Sequence, residues 1–405
     1  MKQKAFILFL LLALLCVTGA ASAETAADLT EECKLSATVD SEHRERIRDG
    51  QYEWYWTGTG GSLTITLPKG KACQGISLSF FRQTVPLYIS VQEPTGVWRE
   101  AAAYNDPFRN AYIPVYAETA VNIRPQNQED VLKLSALTVW GEGELPDSVQ
   151  RWTAWEEGEE ADLMLVVCHP DDDLIWFGGL IPYYAGQLHK KVLVAYAVGQ
   201  YSARRVNELL DGLWTCGVRL YPELGTFDDL NGFGERVVLR RWGKEAADAW
   251  CTGLLRRYRP KVTVTHAANG ESGHVQHVVL HKAVVAAVTE WSADPTKDPA
   301  SAERYGVYTP LKFYVHQHKK NQIFLDWTQP LSAFAGKTGQ EVAAEAFRKH
   351  ISQIRSGYKI YVSGPNDSRY FGLYSTAVGP DEACNDMFEH LENESEEFTL
   401  PPVAE

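Results

Sequence analysis

Three consecutive aspartates behind a histidine and a proline, His169-Pro170-Asp171-Asp172-Asp173, follow directly on an apolar run from Leu163 to Cys168. An imidazole and two or three carboxylates packed together repel one another unless a cation compensates, and a divalent metal is the simplest compensation. A second cluster stands about a hundred residues on. His274 and His277, in NGESGHVQH, are three apart and so share one face of an opening helical turn. Two imidazoles at that spacing, just beyond a strand, supply the other half of a metal or acid–base site. Such a pair alone is common on solvated surfaces; what gives it weight is the aspartate cluster on another strand of the same sheet.

The elements around these clusters read as alternating strands and helices. Leu163–Cys168 is nearly all apolar, as in a strand buried on both faces. Lys191–Val198 and Lys261–His266 repeat the pattern, a short strand is expected near Val218–Tyr221, and Lys312–His318 reads as another strand. Between them, apolar residues at helical spacing predict helices after Asp173, over Ser202–Cys216, and from about Val237 to Tyr258. Thr338 and Glu341 form a capping-box pattern that opens a further helix. This alternation argues a doubly wound, mostly parallel α/β sheet, and such sheets place their chemistry beyond the carboxyl ends of the strands. His316 and His318 face one side of their strand, either towards the pocket rim or, as the plainer expectation, into solvent.

Residues 24–150 differ in kind. Short runs such as Gln51–Thr57, Ser62–Leu67, Gly75–Phe81, Leu87–Gln92 and Leu132–Gly141 are β-branched or alternating, with Gly60-Gly61, Pro68-Lys69-Gly70 and Pro94-Thr95-Gly96 as turns. An all-β sandwich or jelly roll is expected. Trp54, Trp56, Trp98 and Trp140 either offer sugar-stacking surfaces or fill the β core. Pro146 and the acidic run at 156–160 mark the boundary, giving a 151–380 α/β domain and an acidic, solvated tail over 381–405.

The chain has 405 residues, 45% hydrophobic and 22% charged, with a formal charge of −13. That length permits two domains, and the acidic surplus argues against nucleic acid as a partner. Lys2 and Lys4, an apolar run over Ala5–Val17 and the Ala21-Ser22-Ala23 pattern read as a signal peptide cleaved after Ala23. About 13 apolar residues fall short of the ~20 that span a membrane, so no transmembrane anchor is expected. Export makes a Cys33–Cys73 disulfide plausible. No CxxC pair exists, and Cys168 reads as a small apolar filler within its strand.

In motif order over residues 160–320, the chain resembles the LmbE-like, PIG-L family of zinc-dependent N-acetylglucosaminide deacetylases. The resemblance rests on HPDD after an apolar strand, Arg205-x-x-Glu208, Gly225-x-x-Asp228, and NGESGHVQH, close to a branch reading NGEYGHxQH. It implies a Rossmann-like fold and a divalent metal, zinc or another, held by His169, Asp172 and His277. Three protein ligands with a fourth position for water is the catalytic rather than the structural pattern. Asp171 would then be the general base, His274 would stabilise the oxyanion or act as acid, and Arg205 and Asp228 would hold sugar hydroxyls. The segment Leu134–Pro146 resembles the closing strand of discoidin-like, galactose-binding-fold modules, which adds a possible glycan ligand.

Two positions depart from the family pattern. Asp173 stands where Glu is usual, and Gln276 where Asp is common; a Gln can still hydrogen-bond an imidazole but cannot stabilise its cation by charge. The expectation is therefore a secreted metal-dependent N-deacetylase acting on an N-acetylglucosamine-type sugar or glycoconjugate. A glycan-binding surface protein without turnover, and an amidohydrolase acting on a non-sugar amide, are the alternatives.

Overall fold

The computed structural model describes residues 24–200 and 202–391. The signal-peptide expectation and the last residues of the expected tail lie outside them. The first domain is a sandwich of two antiparallel sheets. Its strands are β1 (Lys34–Ala37), β2 (Trp56–Thr57), β3 (Leu63–Thr66), β4 (Cys73–Phe80), β5 (Leu87–Gln92), β6 (Trp98–Tyr104), β7 (Asn110–Ala117), β8 (Ala120–Pro125) and β9 (Lys133–Gly141). One sheet has the order β1-β3-β8-β5-β6 and the other β2-β9-β4-β7. Alternation does the folding here: in β5, Leu87, Ile89 and Val91 face the core while Tyr88, Ser90 and Gln92 lie between. Trp56 is fully buried in this core, whereas Trp54 and Trp98 are exposed. Cys33 and Cys73 are both buried as free thiols, so the expected disulfide is not formed; Cys73 Sγ lies 3.6 Å from the Val115 carbonyl.

The second domain is built on a seven-stranded sheet of β10 (Leu163–Val167), β11 (Val192–Tyr196), β12 (Glu223–Leu224), β13 (Val262–Thr265), β14 (Lys312–His316), β15 (Gln322–Phe324) and β16 (Tyr370–Thr376), in the order β12-β11-β10-β13-β14-β16-β15. The first five pair in parallel, and β16 and β15 close the edge antiparallel. Successive residues of β10 serve opposite cores. Leu163, Leu165 and Val167 pack with helices Ala203–Thr215 and Gly339–Phe347, while Met164, Val166 and Cys168 pack with Lys244–Tyr258 and Val275–Ala286. Burial on both faces explains the unbroken apolar run. Strand order reverses beside β10, with β11 on one side and β13 on the other, so a crevice opens at their carboxyl ends.

Several local expectations give way. The helix expected from Val237 to Tyr258 is broken at Gly243, which adopts φ +75°, into Glu235–Trp242 and Lys244–Tyr258. No ladder forms over 218–221, where Leu220 makes an isolated bridge to Thr153; the strand is Glu223–Leu224. The helix after Asp173 stops at Ile175, ahead of Gly178 at φ +55°. Residues 381–391 are not a solvated tail. Met387 and Phe388 join the core, and the buried Lys312 ammonium is paired with Asp381. A buried ammonium without that carboxylate would be costly, which fixes this stretch against β14.

Candidate metal centre

β10 delivers His169 through Asp173 into the crevice, and the turn beyond β13 delivers Glu271 through His277. Three atoms from these segments form a nearly equilateral triangle. His169 Nδ1 lies 3.1 Å from Asp172 Oδ2 and 3.2 Å from His277 Nε2, and His277 Nε2 lies 3.1 Å from Asp172 Oδ2. Their outer partners assign the protons. His169 Nε2 faces the Gln276 Oε1 acceptor at 3.3 Å, and His277 Nδ1 faces Glu271 Oε2 at 2.9 Å. Each ring donates outward and turns a lone pair inward. Asp172 is anchored likewise, accepting from the His169 backbone N–H at 2.6 Å and from Trp176 Nε1 at 3.1 Å.

Three inward lone pairs from buried side chains are a stable arrangement only around a cation. A tetrahedral ion with bonds of about 2.0 Å sets its ligand atoms about 3.3 Å apart, so this triangle fits zinc or a similar divalent ion. The Asp172 and Glu271 carboxylates outweigh burial and push His277 up to about 10. The same pairing, working against burial, holds Asp172 well below the usual carboxylate range.

Asp171 sits beside the triangle with its backbone at φ +114°, a conformation an L-residue adopts only when its surroundings enforce it. Burial pushes its carboxyl up to about 7, partly countered by Arg205, whose guanidinium lies 2.9 Å away and also donates to the Pro170 carbonyl. A carboxyl near neutrality can both take and return a proton. Burial and the Asp171 charge push the buried Asp173 up to about 8, and Asp173 is not among the residues lining the pocket. His274 lines the same pocket, its ring tilted against His277 with centroids 4.4 Å apart, and burial lowers it to about 4. It is therefore a neutral imidazole at physiological pH.

The pocket is about 160 Å³ and is lined by His169, Asp171, Asp172, Arg205, His274 and His277, together with Ile175, Trp176, Asp229, Asn231, Gln353 and Tyr358. Asp228 is a correction. Its side chain is half exposed and paired with Arg241 at 2.7 Å, and the neighbouring Asp229 lines the pocket instead, 4.0 Å from His169 Nε2. Gln276 is fully engaged: Oε1 also accepts from the Leu230 N–H, and Nε2 donates to the Asp228 carbonyl. It thereby fixes the 228–231 loop and His169, rather than His274.

Sequence reasoning missed what lies behind the ligands. Glu271, at φ +58°, accepts from the rings of His266 (3.1 Å), His277 (2.9 Å) and His316 (3.1 Å), and from the Ala267 N–H (2.8 Å). His316, expected at the rim or in solvent, is instead fully buried in this hub. His266 is not a ligand: its Nε2 accepts from the Cys168 N–H and its Nδ1 faces Glu271, leaving no lone pair for a cation. The signal lay in the sequence, since His266 and His316 both close apolar strands at the carboxyl edge and Glu271 shares the NGES turn.

Residues 164–288 match the family model described as PIG-L: GlcNAc-PI de-N-acetylase. A 1D-myo-inositol 2-acetamido-2-deoxy-alpha-D-glucopyranoside deacetylase 1 of Saccharopolyspora erythraea is 29% identical over 163 residues, 32% of this chain and 54% of that one. The Salinispora arenicola deacetylase of the same description is 27% identical over 262 residues, 54% of this chain and 85% of its own. The chain thus spans about half the length of the first of these relatives. Among solved structures, the N,N'-diacetylchitobiose deacetylase of Pyrococcus horikoshii aligns over 48% of this chain and 71% of its own, at 17% identity and a TM-score of 0.36. The family 32 CBM of Clostridium perfringens NanJ aligns over 28% of this chain and 98% of its own, at 18% identity and a TM-score of 0.24. Residues 164–288, which carry both halves of the triangle, are thus similar to PIG-L/LmbE-like deacetylase domains.

Proposed function

We propose that this protein is a metal-dependent hydrolase that removes the N-acetyl group from an N-acetylglucosamine-type sugar or glycoconjugate. The reading rests on the triangle of inward lone pairs with the Asp171 carboxyl beside it; the family match and the deacetylase relatives support it. His169, Asp172 and His277 would hold the ion, zinc or another divalent metal. Such an ion lowers the pKa of bound water and polarises an amide carbonyl. Asp171, held at about 7 and oriented by Arg205, takes a proton from the attacking water and returns it to the leaving amine. Neutral His274 donates to the developing oxyanion. Asp229, Asn231 and Arg205 offer polar contacts to the sugar ring, and Trp176 with Tyr358 walls the mouth. Export of the mature chain after Ala23 is part of the proposal and places the substrate outside the cell.

The test is acetate release from N-acetylglucosamine, chitooligosaccharides and peptidoglycan fragments by residues 24–405 reconstituted with zinc. Release that needs the metal and falls by roughly 10²–10⁴-fold in Asp171→Asn is the expected result. Stoichiometric metal with no acetate from any sugar would overturn the sugar deacetylase and leave a non-sugar amide as the substrate.

A further inference from the structure

A cleft of about 670 Å³, separate from the candidate metal pocket, lies between the β-sandwich and the α/β domain. Its size falls within the range of ligand sites, which favour domain junctions. Its charge runs against that of the molecule: the chain carries −13, yet the cleft is lined by Arg82, Arg109 and Arg257 against a single carboxylate, Glu223. That carboxylate is already committed to Arg257, at 2.9 Å, and to the Tyr258 hydroxyl. Arg109 is buried, with Nε and Nη2 donating to the Phe80 and Phe81 carbonyls, and no protein acceptor among the described residues meets its Nη1. Burial and the nearby Arg82 both work against the Arg109 charge. Arg82 is exposed on the rim and has no carboxylate within ion-pair distance among the described residues; it lies over the Phe81 ring. Among the described residues, the cleft therefore holds no carboxylate left to pair with the Arg82 and Arg109 guanidinium groups.

The walls are aromatic. Trp155 is fixed by its Nε1–H donating to the Tyr221 carbonyl, and the Tyr221 ring packs tilted against Phe108 with centroids 4.9 Å apart. Flat aromatic faces below a polar rim suit the C–H faces and hydroxyls of a pyranose ring. We propose that this cleft binds an acidic saccharide, its carboxylate held between Arg82 and Arg109 and its ring against the aromatic wall. A bidentate contact from Arg82 and a charge-assisted hydrogen bond from Arg109 Nη1 supply the selectivity for an acidic over a neutral sugar.

The probe is a galacturonic acid tetramer, which carries carboxylates and no acetamido group and so is not a substrate for the metal pocket. Chitotetraose is the neutral comparator. Titration calorimetry and tryptophan fluorescence on the full mature chain should show the acidic tetramer binding more tightly than chitotetraose and weakening as salt rises. Arg82→Ala should weaken it roughly tenfold or more, and Arg82→Lys, which keeps the charge, less. Arg82 is exposed, so both variants are expected to fold, and circular dichroism checks this. Equal binding of the two tetramers, no binding of the acidic one, or Arg82→Ala binding it as tightly as wild type would each overturn the assignment. None of these results bears on the deacetylase reading, which is read from acetate alone.

Discussion

At the scale of single residues, the candidate metal ligands are legible because their types repel unless something joins them. Glu271 was not, because a Glu inside a glycine-flanked turn looks like any solvated turn residue until the fold brings His266 and His316 onto it. His316 was misread for a related reason: alternation along a strand shows which residues share a face, but not that helices and the antiparallel edge cover both faces. The hub sets the His277 tautomer, since Glu271 accepts a hydrogen bond from Nδ1–H and leaves the Nε2 lone pair free. Glu271→Gln should therefore lower metal affinity by roughly 10- to 100-fold, read by competition with a chromogenic chelator. Unchanged affinity in a folded variant would remove Glu271 from the site. Asp228 shows the opposite failure. Two adjacent aspartates share one motif position in sequence, and only the loop's hydrogen bonds to Gln276 decide which of them lines the pocket.

At the scale of elements, the buried parallel strands β10, β11, β13 and β14 came through because such strands have an unmistakable composition, while helix breaks at Gly178 and Gly243 depend on backbone choices that spacing does not encode. The segment after the helix Gly339–Phe347 is another case. It carries Gln353 and Tyr358 to the pocket and is tied back by Ser352, which donates to Glu208 on Ala203–Thr215. His350 lies at the root of that segment, buried with neither ring nitrogen partnered. Burial, with Arg205 adding to it, lowers its pKa to about 3. The sign follows. Between about 6.5 and about 3 the unfolded chain binds a proton that the folded chain does not, so stability is present above 6.5 and lost as pH falls, by up to about 1.4 kcal/mol per unit. His350→Leu should flatten that acid slope in urea unfolding at pH 7, 5 and 4, while costing little at pH 7 because no hydrogen bond is removed. An unchanged slope would place the acid sensitivity elsewhere.

For the whole molecule, the sequence separated two fold classes at about residue 150 but was silent on whether they are joined rigidly. Phe108 answers in the structure. It belongs by sequence to the β-sandwich, yet it is buried in the apolar core of the α/β domain beside Trp152 and Tyr221. Polar ties surround it: the Arg109 N–H donates to the Tyr221 hydroxyl, Gln150 bridges Asn110 to Asp211, and Ser202 donates to Glu53. Such exposed or half-exposed hydrogen bonds contribute about 1 kcal/mol each, whereas truncating a buried Phe costs roughly 3–5 kcal/mol. The plug should therefore dominate the coupling. Wild type is expected to melt in one calorimetric transition and Phe108→Ala in two, because the domains lose the core they share while each keeps its own. A single transition in Phe108→Ala, merely shifted to lower temperature, would mean that the polar ties suffice. The acidic-saccharide cleft is lined from both sides of this seam, so the variant that splits the transition should weaken binding there too.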